Sequence, residues 1–398
     1  MKPNYILCDD DTWIDLLPLT FTRPVSELRI GILTIREKWE AMLGATCSYL
    51  TKAYLREKFP VHTAEENILI NASVLPDEQL IKAIGQLKNN CALVKDQRII
   101  AAFIAGSSVA DNVSRQLEKT TLINYAEDIL HIAFPWDIFH LNGEALQRDF
   151  ALLTKGRKSY KLSKTNNLLG EKNIFVEEGV KAEYVTINAT TGPVYLSKGS
   201  EIMEGAIIRG PLALGDNAVI KLGAKIYGPS TFGPNVKVGG EVNNSVIIAN
   251  SNKAHDGFLG NAVLGEWCNL GADTNNSNLK NNYAEVKMWN YRKENFLNTG
   301  LQFCGLIMGD YSKCGINTMF NTGTVVGVSA NIFGSGFPRI FIPSFSWGGA
   351  HGFEVFAIKK VFEVAQRVMS RRKMQFSDTE KKILEYIFEY TGKYRNFA

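Results

Sequence analysis

The chain is short of several things that would assign it quickly. It has six cysteines in 398 residues, none in a C-x-x-C pair, which argues against a zinc ribbon or a disulfide framework and fits reduced thiols in a cytoplasmic protein. No apolar run approaches the length of a membrane span. The short apolar stretch at the N-terminus is followed at once by Asp9, Asp10 and Asp11, which does not read as a secretory leader. Net charge is only +4, and no basic stripe is interleaved with aromatics, so neither nucleic acid nor a membrane is expected as a partner. With 45% apolar and 21% charged residues, the chain can bury a sizeable core.

What the second half does have is a six-residue beat. Leu196, Ile202, Ile208, Leu214, Ile220, Ile226, Phe232 and Val238 fall at an unbroken spacing of six. Four residues after each stand Ser200, Ala206, Leu212, Ala218, Ala224, Ser230, Val236 and Val242, mostly small. A helix repeats at about 3.6 residues and a simple strand at about 2, so neither explains the pattern. A three-sided coil of short strands does: each hexapeptide makes one flat side and points its apolar residue inward. The beat resumes at Phe258, Leu264 and Leu270, and again at Met308, Cys314, Phe320, Val326 and Ile332. The pattern predicts a parallel β-helix over about 174–343, interrupted at 243–257 and 275–305. Long loops on a rigid repeat are usual places for function.

Residues 1 to about 150 alternate strand-like and helix-like segments. Strands are expected at Tyr5–Cys8, Asn67–Ile70, Ala92–Val94 and Ile99–Ile104, and helices at Thr34–Leu43, Asp77–Leu87 and Trp136–Leu153. This alternation predicts an α/β layer with a largely parallel sheet. A polar linker is expected at 155–167. After Ser346 the pattern turns helical, over Phe353–Lys373 and Ser377–Tyr390, with Ser377 and Glu380 as a capping box. The basic run Arg371–Lys373 reads as a solvated helix end that complements the helix dipole. The expected domains are 1–170, 171–345 and 346–398.

Among five histidines, His255 has the most suggestive neighbours: Lys253-Ala-His-Asp-Gly-Phe-Leu-Gly260, then Gly265-Glu-Trp-Cys-Asn-Leu-Gly-Ala-Asp-Thr274, then Asn278. Imidazole titrates near neutrality, and amide side chains one coil away suit a polar small molecule. The segment 241–279 resembles the acetyltransferase half of the bifunctional glucosamine-1-phosphate N-acetyltransferase / N-acetylglucosamine-1-phosphate uridylyltransferases. The resemblance implies a left-handed β-helix, a homotrimer, and acetyl-CoA lying along the groove between neighbouring helices. It places His255 on the general base, and Asn269 and Asn278 on amides that hold the sugar or orient the histidine. Phe258 falls near the sugar phosphate and Ala272 where a backbone group meets the acyl-CoA. Asn243 stands where relatives carry a phosphate-gripping lysine, which makes Lys221 and Lys225 the alternative phosphate ligands. Thr322, Gly323 and Arg339 are further candidate coenzyme contacts.

Leu17-Pro-Leu-Thr-Phe-Thr-Arg-Pro-Val-Ser-Glu-Leu28 resembles the L-x-P-L-T-x-x-x-P-K-x-L signature of the sugar-phosphate nucleotidyltransferases. That resemblance implies Mg²⁺ and a nucleoside triphosphate such as UTP or dTTP, with Arg23 and Arg29 as nucleotide ligands and Asp137 as a metal carboxylate. Where relatives carry a Gly-rich phosphate loop, this chain has Asp9-Asp-Asp-Thr-Trp13. Three readings follow: an N-acetyltransferase on an amino-sugar phosphate that also transfers a nucleotidyl group if the first domain is active; a sugar-1-phosphate nucleotidyltransferase with a trimerising β-helix; or a non-catalytic sugar-nucleotide binder.

Overall fold

The computed structural model describes residues 3–107 and 113–397. They divide into two compact units. The first is 1–16, 22–28 and 33–133; the second is 17–21, 29–32 and 134–398.

The first unit is built on a six-stranded mixed sheet in the order Cys47–Leu50, Asn4–Cys8, Glu66–Asn71, Arg98–Ala105, Cys91–Lys95, Thr121–Asn124. The first three strands run parallel. Arg98–Ala105 is antiparallel to both of its neighbours, and Thr121–Asn124 is again parallel to its own. Every strand and helix expected from the alternation is present within a residue or two. The strands Cys47–Leu50 and Thr121–Asn124 were not expected: four residues of mixed polarity carry too little pattern to register. The helix Ile35–Leu43 starts as its sequence dictates. Thr34 accepts from the Glu37 N–H while the Glu37 carboxylate accepts from the Thr34 N–H, and Gly44 at φ +60° stops it.

In the second unit the hexapeptide beat becomes a parallel β-solenoid with three faces. Each coil passes from the first face to the second, then the third, then steps up to the first again. Along the chain this is, for example, Ile207–Arg209, Leu212–Leu214, Val219–Ile220 and Lys225–Tyr227. Among the described residues the three faces form sheets of six, nine and ten strands. All eight residues of the principal beat, Leu196 to Val238, are at most 1% exposed, and their small partners, Ser200 to Val242, are at 0%. The smallest of them, Ser200, Ala206, Ala218 and Ala224, each stand just before a strand, where the chain turns a corner with little room for bulk. The later beat over Met308–Ile332 is also buried, at 5% exposure or less.

Two expectations about the solenoid need correction. The segment 243–257 is not an interruption: Val246–Ala249 and Asn252–Lys253 continue the second and third faces with shortened corners. The resumed beat also begins one residue later than the spacing suggested. Leu259, at 1% exposure, pairs with Val242 and points inward, while Phe258 lies half-buried on the outside. The excursion after Asn276 does leave the prism. It forms the hairpin Lys287–Asn290 with Asn295–Asn298, and Trp289 stacks on Phe341 at 4.2 Å. It therefore packs as structure.

The helix Pro135–Thr154 belongs to the second unit and pins the segment Arg29–Ile32 there. Asn142 Oδ1 accepts from the Gly31 N–H at 2.7 Å, and Asp149 Oδ2 accepts from the Ile32 N–H at 2.7 Å. Thr231 on the second face donates to the Gly31 carbonyl at 2.8 Å. Gly31 adopts φ +77°, and a Cβ there would lie 2.5 Å from Asp149 Oδ2, so no larger residue fits.

At the far end, Phe353 was expected to begin a helix. It lies instead in the strand Gly352–Val355, which turns back antiparallel on Ser346–Gly349 and closes the third face. The helix itself runs Ile358–Ser370, and Asp378–Tyr390 follows with the expected Ser377/Glu380 capping box. All six cysteines are unpaired. No helix among the described residues is long and apolar enough to cross a membrane.

Candidate functional site

His255 sits at the corner where the third face, ending at Lys253, turns into the first face, starting at Phe258. Its side chain is exposed. Two features of the sequence build this corner. Gly257 takes φ +108°, and a Cβ there would come within 2.2 Å of the Thr274 carbonyl oxygen of the next coil. The second is Lys253, which occupies an inward position, pairing with Val238 in the ladder, and is fully buried. Its ammonium donates to the carbonyls of Gly239 (3.2 Å), His255 (2.5 Å) and Asp256 (3.1 Å). The backbone of His255 is thus tied from inside by a charged side chain. Burial pulls Lys253 down to about 8, against the attraction of Asp256, Cys314 and Asp273. We expect Gly257→Ala to lower stability by at least about 2 kcal/mol, because a non-glycine residue is strained at that φ and the clash is with backbone. A melting temperature within a degree of wild type would refute this.

The corner opens onto a cleft of about 850 Å³ that also contains Asn269 and Ala272. Asn269 continues the outward column of the third face and accepts from Asn252 Nδ2 at 3.3 Å. Lys221 and Lys225 share the His255 corner, lower in the stack: Lys225 pairs with Glu241, which pairs with Phe258. The five remaining expected sugar and coenzyme residues lie elsewhere in the second unit. Asn243 is at the far end of the first face, beside Gly260. Asn278 donates to Asn261 Oδ1 at 2.8 Å. Gly323 is buried at φ +66°, against the Lys287 carbonyl, and Thr322 precedes it. Arg339 lies over the rings of Phe353 and Phe397 at 5.4 and 6.0 Å. Within one chain, the structure brings together His255, Asn269 and Ala272, with Phe258, Lys221 and Lys225 along the same corner.

Sequence reasoning missed the cleft's opposite wall. Val364, Arg367, Val368 and Arg371 line it at helical spacing, and Arg372 joins them. Arg372 does not merely end its helix: it donates to the Asn235 carbonyl at 2.6 Å and to Asn252 Oδ1 at 3.2 Å. The run of basic residues was a visible signal, but nothing in the sequence said which face the helix would cover.

In the first unit the acids after the first strand are turned to the protein's own use. Asp9 accepts from the Val25 N–H at 2.9 Å and from the Thr51 hydroxyl at 2.5 Å. Burial pushes it up to about 7, although both donors favour its charged form. Asp10 accepts from the Thr12 N–H at 2.8 Å and from Asn71 Nδ2 at 2.8 Å. The N–H groups of Trp13 and Ile14 are taken by the Asp10 and Asp11 carbonyls. The N–H groups of Thr12, Trp13 and Ile14 in this turn are therefore already engaged within the chain. Arg23 is buried at 6% exposure. Arg29, in the second unit, donates to the carbonyls of Ile248 (3.2 Å) and Ile32. Asp137 accepts from the Phe134 N–H at 2.8 Å at the start of its helix. Among the described residues no group of three or more His, Cys, Asp or Glu side chains could hold a metal by itself.

Residues 5–158 match the sugar nucleotidyl transferase family. A bifunctional sugar-1-phosphate nucleotidylyltransferase/acetyltransferase of Sulfurisphaera tokodaii is 29% identical over 227 residues, 56% of this chain and 49% of that one. The bifunctional protein GlmU of Methanocaldococcus jannaschii is 34% identical over 87 residues, 22% of this chain and 21% of its own. The chain thus spans about half or less of the length of these curated relatives. An Arabidopsis UDP-N-acetylglucosamine acyltransferase structure aligns over 59% of this chain and 91% of its own, at 14% identity and a TM-score of 0.24, too low to bear on function. The chain is similar, at modest identity, to the bifunctional sugar-1-phosphate nucleotidylyltransferase/acetyltransferases, and its residues 5–158 match the sugar nucleotidyl transferase family.

Proposed function

We propose that this chain is an acetyl-CoA-dependent N-acetyltransferase acting on an amino-sugar phosphate of the glucosamine-1-phosphate kind, as a cytoplasmic homotrimer. The observation that carries this reading is the exposed imidazole of His255, on a backbone tied by Lys253, opening on a cleft shared with Ala272. The amine of the sugar attacks the thioester carbonyl, and His255 accepts the proton it sheds. The N–H of Ala272, on the cleft wall, would donate to the oxygen that becomes negative as the carbonyl turns tetrahedral. Collapse forms the amide and expels the coenzyme thiolate, which takes the proton back from the imidazolium. Asn269 would orient the sugar, with Phe258 against it, and Lys221 or Lys225 would meet its phosphate. Asn243, Asn278, Thr322, Gly323 and Arg339 would join only from a neighbouring subunit.

The test is thiol release from acetyl-CoA with glucosamine-1-phosphate and a panel of other amino-sugar phosphates. Release with at least one is expected; release with none refutes the reading. Nucleotidyl transfer is the second reading, favoured by the family match over 5–158. It is weakened by the occupied amides after the first strand and by the positions of Arg29 and Asp137. Pyrophosphate release from UTP or dTTP with Mg²⁺ and a hexose-1-phosphate would restore it.

A further inference from the structure

The wall of the cleft opposite the His255 corner is chemically one-sided. The outward column of the third face runs Lys237, Asn252, Asn269, Lys313 on successive coils. Facing it are Arg367, Arg371 and Arg372 from the end of the helix Ile358–Ser370. Five cations therefore line the cleft, and not one of its lining residues is an aspartate or glutamate. The chain as a whole carries 44 basic and 40 acidic residues, so a solvated surface would intersperse the two signs. None of the five pairs with a carboxylate among the described residues. Arg372 is held by Asn235 and Asn252 and lies over the Trp267 ring at 5.8 Å, and Lys313 donates to the Tyr311 carbonyl at 2.8 Å.

Helix termini do attract cations, and Arg371 and Arg372 sit at a C-terminus. That accounts for neither Lys237 and Lys313, which come from the solenoid, nor Arg372, whose guanidinium reaches away from its own helix. Burial pulls Arg372 below its ordinary value and Lys313 to about 8. Crowding like charges and stripping their water costs free energy that an anion in the cleft would return.

We propose that this cleft is the phosphate-binding half of the acyl-donor site, in which the helix Ile358–Ser370 and the third face grip the pyrophosphate of a nucleotide-bearing thioester whose acyl end reaches His255. The inference rests on the acetyltransferase reading above. His255 follows Asn252 on the same coil, so along the solenoid axis Lys237 lies one strand spacing from it and Lys313 two, about 5 and 10 Å.

The experiment is calorimetric titration of the full-length protein with CoA, inorganic pyrophosphate and UDP-N-acetylglucosamine, for wild type and the double variant Arg367→Gln/Arg371→Gln. The side chains of these arginines make no hydrogen bond or ion pair among the described residues, and their backbone bonds at the helix end survive the substitution, so the variant should fold normally, which circular dichroism will show. Wild type is expected to bind CoA and pyrophosphate, CoA the more weakly as salt rises, and the variant to bind both at least about tenfold more weakly. Equal affinities in the two proteins, or no binding to wild type, overturn the inference. Tighter binding of the nucleotide sugar than of CoA overturns the assignment to the donor. If acetyl transfer proceeds with an unchanged KM for acetyl-CoA in the variant, the inference fails while the acetyltransferase reading survives. If CoA binds through these arginines but no amino sugar is acetylated, the reverse holds.

Discussion

His255→Ala is expected to lower acetyl transfer by about 10²–10⁴-fold, the range for losing a positioned general base, while leaving the melting temperature where it was. The two halves of this expectation have separate grounds. The imidazole is exposed and its backbone is secured by Lys253 rather than by its own ring, so its removal opens no cavity. The chemistry, by contrast, has no other imidazole or carboxylate in the lining of the cleft: the other ionisable groups there are lysines and arginines, apart from the buried Cys268. The loss should fall on kcat more than on KM, since deprotonating the attacking amine belongs to the transition state and not to ground-state binding. Equal thiol release by the variant and wild type would remove His255 from the mechanism.

The solenoid was legible because its constraint is local and repeated. A coil every 18 residues through the regular stretch buries one apolar residue per face, and a one-residue slip would turn each of them outward. Where the corners shorten, the period changes, and the reading slipped with it: Leu259, not Phe258, is the inward residue. The His255 corner was legible as a constellation of residue types, but its support was not. Lysine reads as surface because its charge is costly to bury. Nothing in the order of residues reveals that Lys253 stands in a column otherwise filled by Ile220, Val238, Leu270 and Cys314. The cleft was invisible for another reason: it is made by residues about a hundred apart in sequence, and the helix that walls it could have covered any face. Arg29 illustrates the same limit. Its type and position suit a phosphate, yet its guanidinium is committed to the carbonyls of Ile32 and Ile248.

Lys253 is where stability and function are most tightly joined, and Lys253→Ala is expected to cost about 3–5 kcal/mol of stability. The alanine empties a slot in a close-packed prism and leaves the carbonyls of Gly239, His255 and Asp256 without their shared donor. Lys253→Met keeps the volume of the aliphatic stem and discards the ammonium. Removing a buried charge recovers its desolvation cost, so this variant should melt within a few degrees of wild type at neutral pH, yet acetylate at least about tenfold more slowly, because the His255 corner has lost its tie. The pH dependence separates the two effects. Lys253 sits near 8 in the folded protein against an ordinary value of 10.5. Between those values the unfolded chain holds a proton that the folded chain has released, so folded stability rises with pH across that window, by up to about 1.4 kcal/mol per pH unit. Below pH 8 both states are protonated and the contribution is flat. Lys313, also near 8 through burial, adds a rise of the same sign that persists in Lys253→Met, so the difference between the two melting curves isolates Lys253. Parallel curves from pH 7 to 10.5 would mean that this lysine is not held as a buried cation, and the tie it provides to His255 would have to be abandoned with it.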